Sequence, residues 1–174
     1  MRHGWQTVKL GEICSFKYGQ MPGSDDLATE GYPVFSGYRI VGYSPRYHYR
    51  DPEIVVVARG VGGTGDIKMS PPFCFLTNLS IVALIQSAAV YKPFLFYRLA
   101  STTLWDLRTG SAQAQITIER LRDYQVEISP LPTQRKIAGV LSACFPSPLP
   151  HQSYQGPLIT DEDAIGNGLV DHER

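Results

Sequence analysis

The sequence predicts an α+β domain built from short strands and a few helices. Short runs rich in β-branched residues are separated by glycine and proline, which is typical of strands joined by turns. Other segments instead place apolar residues at helical spacing, one after Pro93 and one after Pro132. A chain of 174 residues is long enough for one domain with a sizeable buried core.

The strand candidates follow one another along most of the chain. Residues 53–58 form the clearest one, because β-branched side chains pack well on a pleated surface. Residues 125–128 alternate apolar and polar side chains, as a half-buried strand does. The remaining candidates are 32–35, 73–76 and 80–85. Near the N-terminus, residues 13–16 are expected to form one helical turn.

Two longer helices are expected. Pro93 is suited to open a helix over 94–104, because the first helical N–H has no partner within the helix. A second helix is predicted over 133–145 and ends before a proline-rich stretch. Its apolar residues fall on one stripe: Ile137, Val140, Leu141, Cys144 and Phe145. The following residues, 146–174, are rich in proline and then acidic, so we expect an atypical tail that is loosely attached or disordered.

Several function classes find no support in the sequence. Its three cysteines form no CxxC pair and its four histidines are scattered, so neither a zinc site nor another metal site is expected. No GxSxG or HExxH motif and no paired-carboxylate nuclease motif is present, and Ser70 stands before Pro71-Pro72 where an amino-methyltransferase would have Asn or Asp. No signal peptide or membrane span is visible. No catalytic set of residues stands out, and the odd number of cysteines fits a reducing cytosol, so we expect a cytoplasmic protein.

A glycine run, Gly60-Val-Gly-Gly-Thr-Gly65, matches GxGxxG and follows a predicted strand. A dinucleotide site would need a helix next and an acidic residue about 20 positions on. The prolines at 71 and 72 interrupt any such helix, and no acid lies between Asp66 and Asp106. The favoured interpretation is a glycine turn between strands, and a loop that lets a bulky ligand such as DNA approach the backbone is a further one.

Two other segments suggest contacts with nucleic acid. Residues 36–50 hold three arginines, a histidine and four tyrosines without any acid. Arginine pairs with phosphate or guanine and tyrosine offers a stacking face, although a solvated loop with half-packed tyrosines explains the composition equally well. Residues 109–115 form a small polar loop whose glutamines suit an adenine edge. The same loop also reads as an ordinary connection.

Taken in order, these pieces resemble the target-recognition module of type I restriction–modification specificity subunits. The resemblance covers residues 5 to about 145 and is carried by several short segments. They are Trp5-Gln-Thr-Val-Lys-Leu-Gly-Glu-Ile13, Tyr32-Pro-Val-Phe-Ser-Gly37 with Val41-Gly-Tyr43, Ile54-Val-Val-Val-Ala-Arg-Gly60 with Gly63, Leu76-Thr-Asn78, Gly110-Ser-Ala-Gln-Ala-Gln-Ile116 and Ile128-Ser-Pro-Leu-Pro-Thr-Gln-Arg-Lys-Ile-Ala138.

The resemblance implies a fold and a function without catalysis. The fold would be a twisted, mostly antiparallel β-sheet with short helices and long loops, followed by a short C-terminal helix. Such subunits carry two modules that each read half of a split double-stranded DNA site. Partner modification subunits methylate adenine N6 and bind the S-adenosylmethionine, so this chain itself needs no cofactor, and motor subunits for restriction join them. The alternative is a binding module for a glycan or a protein.

The resemblance also suggests the residues at the interface. Phosphate or guanine contacts are expected from Arg39, Arg46, Arg50, Arg59, Lys68 and Arg108. Base reading is expected from the loop that holds Ser111, Gln113 and Gln115, and stacking from Tyr43, Tyr47 and Tyr49. The stripe residues Ile137, Leu141 and Phe145 are expected to dock a modification subunit, a second specificity half or a second copy, with packing on their own domain as the alternative.

This chain differs from the family pattern in length and in charge. It holds one module, assigned to residues 1–132, and only the start of the spacer helix, residues 133–145, which suggests a half or truncated subunit. Its formal net charge is zero, but residues 146–174 carry five acids and one base. Residues 1–145 therefore carry 15 bases and 11 acids, a surplus of four positive charges that is compatible with DNA.

Overall fold

The structure is a computed structural model that describes residues 4–60, 63–102, 104–110 and 114–145. The tail predicted for 146–174 lies outside the described residues. In chain order the strands are β1 (Gln6–Lys9), β2 (Cys14–Tyr18), β3 (Tyr32–Phe35), β4 (Ile40–Ser44), β5 (Ile54–Val57), β6 (Ile67–Met69), β7 (Phe75–Leu76), β8 (Ser80–Ile85) and β9 (Gln125–Ile128). The helices are α1 (Leu10–Ile13), α2 (Lys92–Ala100), α3 (Ile118–Asp123) and α4 (Leu131–Cys144), with 3₁₀ turns at Ser24–Asp26 and Leu104–Leu107.

These strands form three sheets. The largest has the order β2-β8-β5-β6 and is antiparallel throughout. A three-stranded sheet, β4-β3-β7, pairs β3 with β4 antiparallel and with the short β7 parallel. The third sheet pairs β1 with β9 and so joins the two ends of the domain. The predicted α+β class with mostly antiparallel pairing is confirmed.

Strand β5 sits between two hydrophobic cores. Its residues are all buried, and their side chains alternate between the two faces of the sheet. Ile54 and Val56 belong to the larger core, which includes α2, whereas Val55 packs with Phe35 and Leu76 of the smaller sheet. This burial on both faces explains why the segment reads as a continuous apolar run.

The prediction of a helical turn at residues 13–16 is wrong. The helical turn is α1, which ends at Ile13, and strand β2 begins at Cys14. Cys14 and Phe16 are buried while Ser15 between them is partly exposed, which is the alternation of a strand. The antiparallel pairing of β2 with β8 is the reason that this segment forms a strand and not a helix.

Two other predicted elements are shorter than expected. Helix α2 ends at Ala100, because the hydroxyls of Ser101 and Thr102 donate hydrogen bonds to the carbonyls of Arg98 and Leu99 and terminate it. The expected strand at 73–76 is reduced to β7, because Phe73 has a positive φ of 48°.

Helix α4 begins two residues before the predicted start and packs on the domain through an unexpected face. Gln134 and Ala138 are its buried residues. The Gln134 side chain accepts a hydrogen bond from the Tyr91 N–H at 2.8 Å and donates to the carbonyls of Ala89 at 2.8 Å and Ser129 at 2.7 Å. These three bonds fasten the start of α4 beside the start of α2. No helix in the described residues is long and apolar enough to cross a membrane.

Candidate nucleic-acid interface

The described part of the glycine run lies in a turn between two antiparallel strands. Residues 63–65 turn between β5 and β6, and Gly65 has a φ of +94°, a conformation that side chains other than glycine rarely adopt. The chain returns antiparallel without a helix, so the βαβ arrangement of a dinucleotide site is absent from this described segment. The interpretation as a turn between strands is correct.

This turn is joined to the polar loop that precedes α3. The Thr64 hydroxyl donates hydrogen bonds to the carbonyls of Gly60 and Ala114, each at 3.2 Å. Arg59 and Gln115 face each other in an isolated antiparallel bridge. The Arg108 guanidinium donates to the Thr64 carbonyl, with its Nε at 2.8 Å. The fold therefore brings together loops that are about 50 residues apart in sequence.

The turn that joins β3 to β4 reaches the same place. A Cβ at Gly63 would lie 3.1 Å from Cδ2 of Tyr38, a tight contact, so glycine favours the close approach of this ring to the backbone. The Lys68 Nζ lies 5.6 Å from the centre of the same ring and 3.5 Å from Asp66 Oδ2. Arg39 follows Tyr38 and is exposed. We call this surface the glycine-turn face: Tyr38, Arg39, Arg59, residues 63–65, Lys68, Trp105, Arg108 and Gln115.

The other predicted contacts lie at the far end of β4. The Arg46 guanidinium pairs with Asp26, whose pKa is lowered by the Gly23 N–H bond and by Arg46. The Tyr47 ring packs edge-on against Tyr32 at 4.9 Å and Phe73 at 5.4 Å. Arg46 therefore enters any DNA contact already paired, and Tyr47 is part of an aromatic cluster.

Burial shifts the pKa values of the next two rings in the chain, His48 and Tyr49. Burial lowers the pKa of His48, helped by Arg46, and the neutral ring lies 3.9 Å from the centre of the Phe75 ring. Burial raises the pKa of Tyr49, which is half-buried beside Cys74. Tyr47 and Tyr49 are thus less accessible than Tyr43, the third predicted stacking residue. Arg50 is exposed.

Strand β4 lies between the predicted residues at the glycine-turn face and those that follow Ser44 in the chain. It has 5 residues, which at about 3.3 Å each gives a length of about 16 Å. Tyr43, with 41% of its surface exposed, lies along this strand. The predicted residues thus form one group at the glycine-turn face and a second group, Arg46, Tyr47, Tyr49 and Arg50, in the segment that follows β4.

Some of the predicted DNA-contact residues lie outside the described residues, and the prediction also left out two exposed aromatic residues. Ser111 and Gln113 lie outside them. Gln115 is described and exposed. Sequence reasoning missed Tyr38 and Trp105 as site residues, although they are exposed aromatics with 62% and 59% of their surface accessible. The close approach of Tyr38 to a glycine has no local signal in sequence.

The predicted docking residues form an open face on α4. Ile137 and Leu141 are half-buried and line a groove of about 810 Å³ together with Tyr97 and Arg98 of α2. Phe145 and Val140 are 66% and 64% exposed. The stripe thus has one edge packed on its own domain and another edge facing solvent.

The described residues offer little for other chemistry. No cluster of three or more metal-ligating side chains occurs among them. Burial raises the pKa of Cys14 to about 12 and that of Cys74 to about 11, so both thiols stay protonated at neutral pH.

Residues 2–146 match the family model described as the type I restriction modification DNA specificity domain. Two similar curated proteins are putative type I specificity subunits of Mycoplasma pneumoniae. One, S.MpnORF507P, is 30% identical over 118 residues, which cover 66% of this chain and 31% of that protein. The other, S.MpnORF89P, is 26% identical over 148 residues, 79% of this chain and 42% of that protein.

Solved structures with a similar fold include the S subunit of a type I restriction-modification system from M. genitalium, with a TM-score of 0.72 and 20% identity over 80% of this chain and 38% of that one. The HsdS subunit from Thermoanaerobacter tengcongensis matches with a TM-score of 0.62 and 21% identity over 82% of this chain and 38% of that one. The chain spans less than half the length of each of these four proteins.

Proposed function

Because the chain belongs to the type I restriction–modification DNA specificity family, we propose that it recognises a short sequence in double-stranded DNA and supplies this address to partner subunits. The observation that carries the proposal is the glycine-turn face. Three loops that are distant in sequence meet there and present cationic, aromatic and amide side chains together. Arginine, tyrosine and glutamine are the side chains suited to phosphates and base edges.

The charge distribution supports this choice of ligand. Residues 1–145 carry 15 bases and 11 acids. Among the described residues, neither Arg39 nor Arg59 at the glycine-turn face has a carboxylate partner, and Arg50 of the second group has none either. Unpaired exposed guanidinium groups are free to replace the counterions of DNA phosphates.

We further propose that the chain acts at one half of a bipartite site. Residues 1–132 would be the DNA-recognition unit and residues 133–145 the start of a docking helix. A modification subunit would dock on α4, bind S-adenosylmethionine and methylate adenine N6, and a restriction subunit would join that complex. A second specificity half or a second copy of this chain would read the other half-site. We place the assembly in the cytoplasm, where DNA is accessible.

Salt dependence of duplex binding tests the proposal. Fluorescence anisotropy of a labelled random-sequence duplex with the full chain is measured from about 50 to about 200 mM salt. The logarithm of the affinity should fall linearly with the logarithm of salt, with a slope near −0.9 for each phosphate neutralised. Arg39→Ala and Arg59→Ala should each weaken binding to all sequences and reduce the slope by about 1.

The matched control is Arg135→Ala, because Arg135 is exposed on α4 and is not among the residues of the glycine-turn face. Its slope should equal that of the unmodified chain. Absence of duplex binding at about 50 mM salt, or binding without salt dependence, would contradict DNA recognition and point to a glycan or protein ligand.

A further inference from the structure

Two exposed aromatic side chains flank the glycine turn, one on each side. Tyr38 contacts the turn at Gly63, and the 3₁₀ turn that carries Trp105 contacts it at Gly65, where a Cβ would lie 3.6 Å from the Leu104 backbone. Their exposed fractions are 62% and 59%. Large apolar groups left in solvent at one place are typical of a surface that becomes covered on binding.

A cation lies beside each of these rings, and one of the two, Arg108, is bonded to the turn. The Arg108 guanidinium lies 4.7 Å from the centre of the Trp105 ring and donates to the Thr64 carbonyl through Nε and Nη2. The Lys68 ammonium lies 5.6 Å from the centre of the Tyr38 ring and 3.5 Å from Asp66. Such cation–π contacts hold exposed rings in place before a ligand arrives.

We propose that Tyr38 and Trp105 contact DNA bases and carry part of the sequence preference, and that Arg108 is a positioning residue for Trp105. This inference rests on the proposed DNA recognition. Aromatic faces stack on unstacked base steps and pack against the thymine methyl group. Two donor groups of Arg108 are already bonded to the Thr64 carbonyl. Its main effect is therefore to position the Trp105 ring beside it.

The first experiment compares binding by variants of the full chain. Duplexes bound by the unmodified chain are selected from a random pool, and affinities for a selected and an unselected duplex are measured. Trp105→Ala and Tyr38→Ala should each weaken binding to the selected duplex by about 5- to 150-fold, the range for losing one aromatic–base contact. The unselected duplex should be affected less, and the salt slope should not change, since no phosphate contact is removed.

The control variant is Tyr91→Ala. Tyr91 is also an exposed aromatic, but it lies at the start of α2, whose 9 residues span about 13 Å before the segment that leads to Trp105. Its affinity for both duplexes should match that of the unmodified chain. Arg108→Ala should lower the preference for the selected duplex and leave the salt slope unchanged. A phosphate contact by Arg108 would instead reduce the slope by about 1.

The second experiment observes Trp105 directly. The chain has two tryptophans, and Trp5 packs against Phe94 of the core, so Trp5→Phe leaves Trp105 as the reporter. Selected duplex should protect its fluorescence from iodide quenching. In the absence of DNA, Arg108→Ala should lower the fluorescence anisotropy of Trp105, because the ring loses its cation.

The outcomes separate the two proposals. If the unmodified chain binds no duplex, both fail. A second outcome is that the chain binds duplex, but iodide still quenches Trp105 and both aromatic variants keep their preference for the selected duplex. In that case the inference alone is overturned, and a protein partner becomes the candidate ligand for the exposed rings.

Discussion

Replacing Gln134 by leucine should strongly destabilise the domain although the volume of the side chain hardly changes. The Gln134 side chain is fully buried and makes three hydrogen bonds to backbone groups. The Ser129 carbonyl is buried and would lose its partner, at a cost of about 1–3 kcal/mol. The other two bonds are partly buried and contribute about 0.5–1.5 kcal/mol each. We therefore expect a loss of about 2–6 kcal/mol in the free energy of unfolding.

Urea denaturation followed by circular dichroism measures this change, with an unchanged m-value as the check for two-state unfolding. Arg135→Ala, one residue along the same helix and exposed, should stay within about 0.5 kcal/mol of the unmodified chain. Gln134→Glu sharpens the test, because its carboxylate would face the carbonyls of Ala89 and Ser129 and should regain stability as acid protonates it. A loss below about 1 kcal/mol for Gln134→Leu would refute the reasoning.

Three further changes test the fold and the docking face. Gly19→Ala should cost at least about 2 kcal/mol, because its Cβ would lie 2.2 Å from the Thr77 carbonyl oxygen, whereas Gly42→Ala, with open space around it, should be neutral or stabilising by up to about 1 kcal/mol in the same denaturation assay. The lowered pKa of Asp26 means that its contribution to stability is present above the unfolded pKa and is lost as pH falls through the folded pKa. Asp26→Asn should therefore flatten the acid limb of a plot of stability against pH, and an unchanged limb would exclude Asp26 as its source. Val140→Asp, on the exposed edge of α4, should keep the thermal midpoint yet abolish co-elution with a modification subunit, and retained co-elution would remove this face from the docking proposal.

Local sequence patterns predicted the strands that have a regular pattern of burial. Strand β5 was recognisable because both of its faces are buried, and β9 because its alternation is regular. Residues 13–16 were misassigned as a helical turn, since the pairing of β2 with β8 involves residues about 65 positions later. For α4, the period was visible but the packed face was not: Gln134 is buried through bonds to a distant loop, while Val140 faces solvent.

The same limit applies to the candidate interface. Composition pointed to the arginine- and tyrosine-rich stretch and to the polar loop, because these residue types carry the chemistry of DNA contact. It did not indicate that Arg46 pairs with Asp26, or that Arg108 is bonded to the glycine turn. Trp105 was not among the predicted contacts, because the glycine turn that its segment contacts is distant in sequence, although Arg108 beside the ring is near.

The most direct test of the central claim is a selection of duplexes from a random pool by the full chain, in the presence of a type I modification subunit. We predict convergence on one short, contiguous element that contains an adenine. Bound duplexes that stay as random as the starting pool would contradict sequence recognition by this chain.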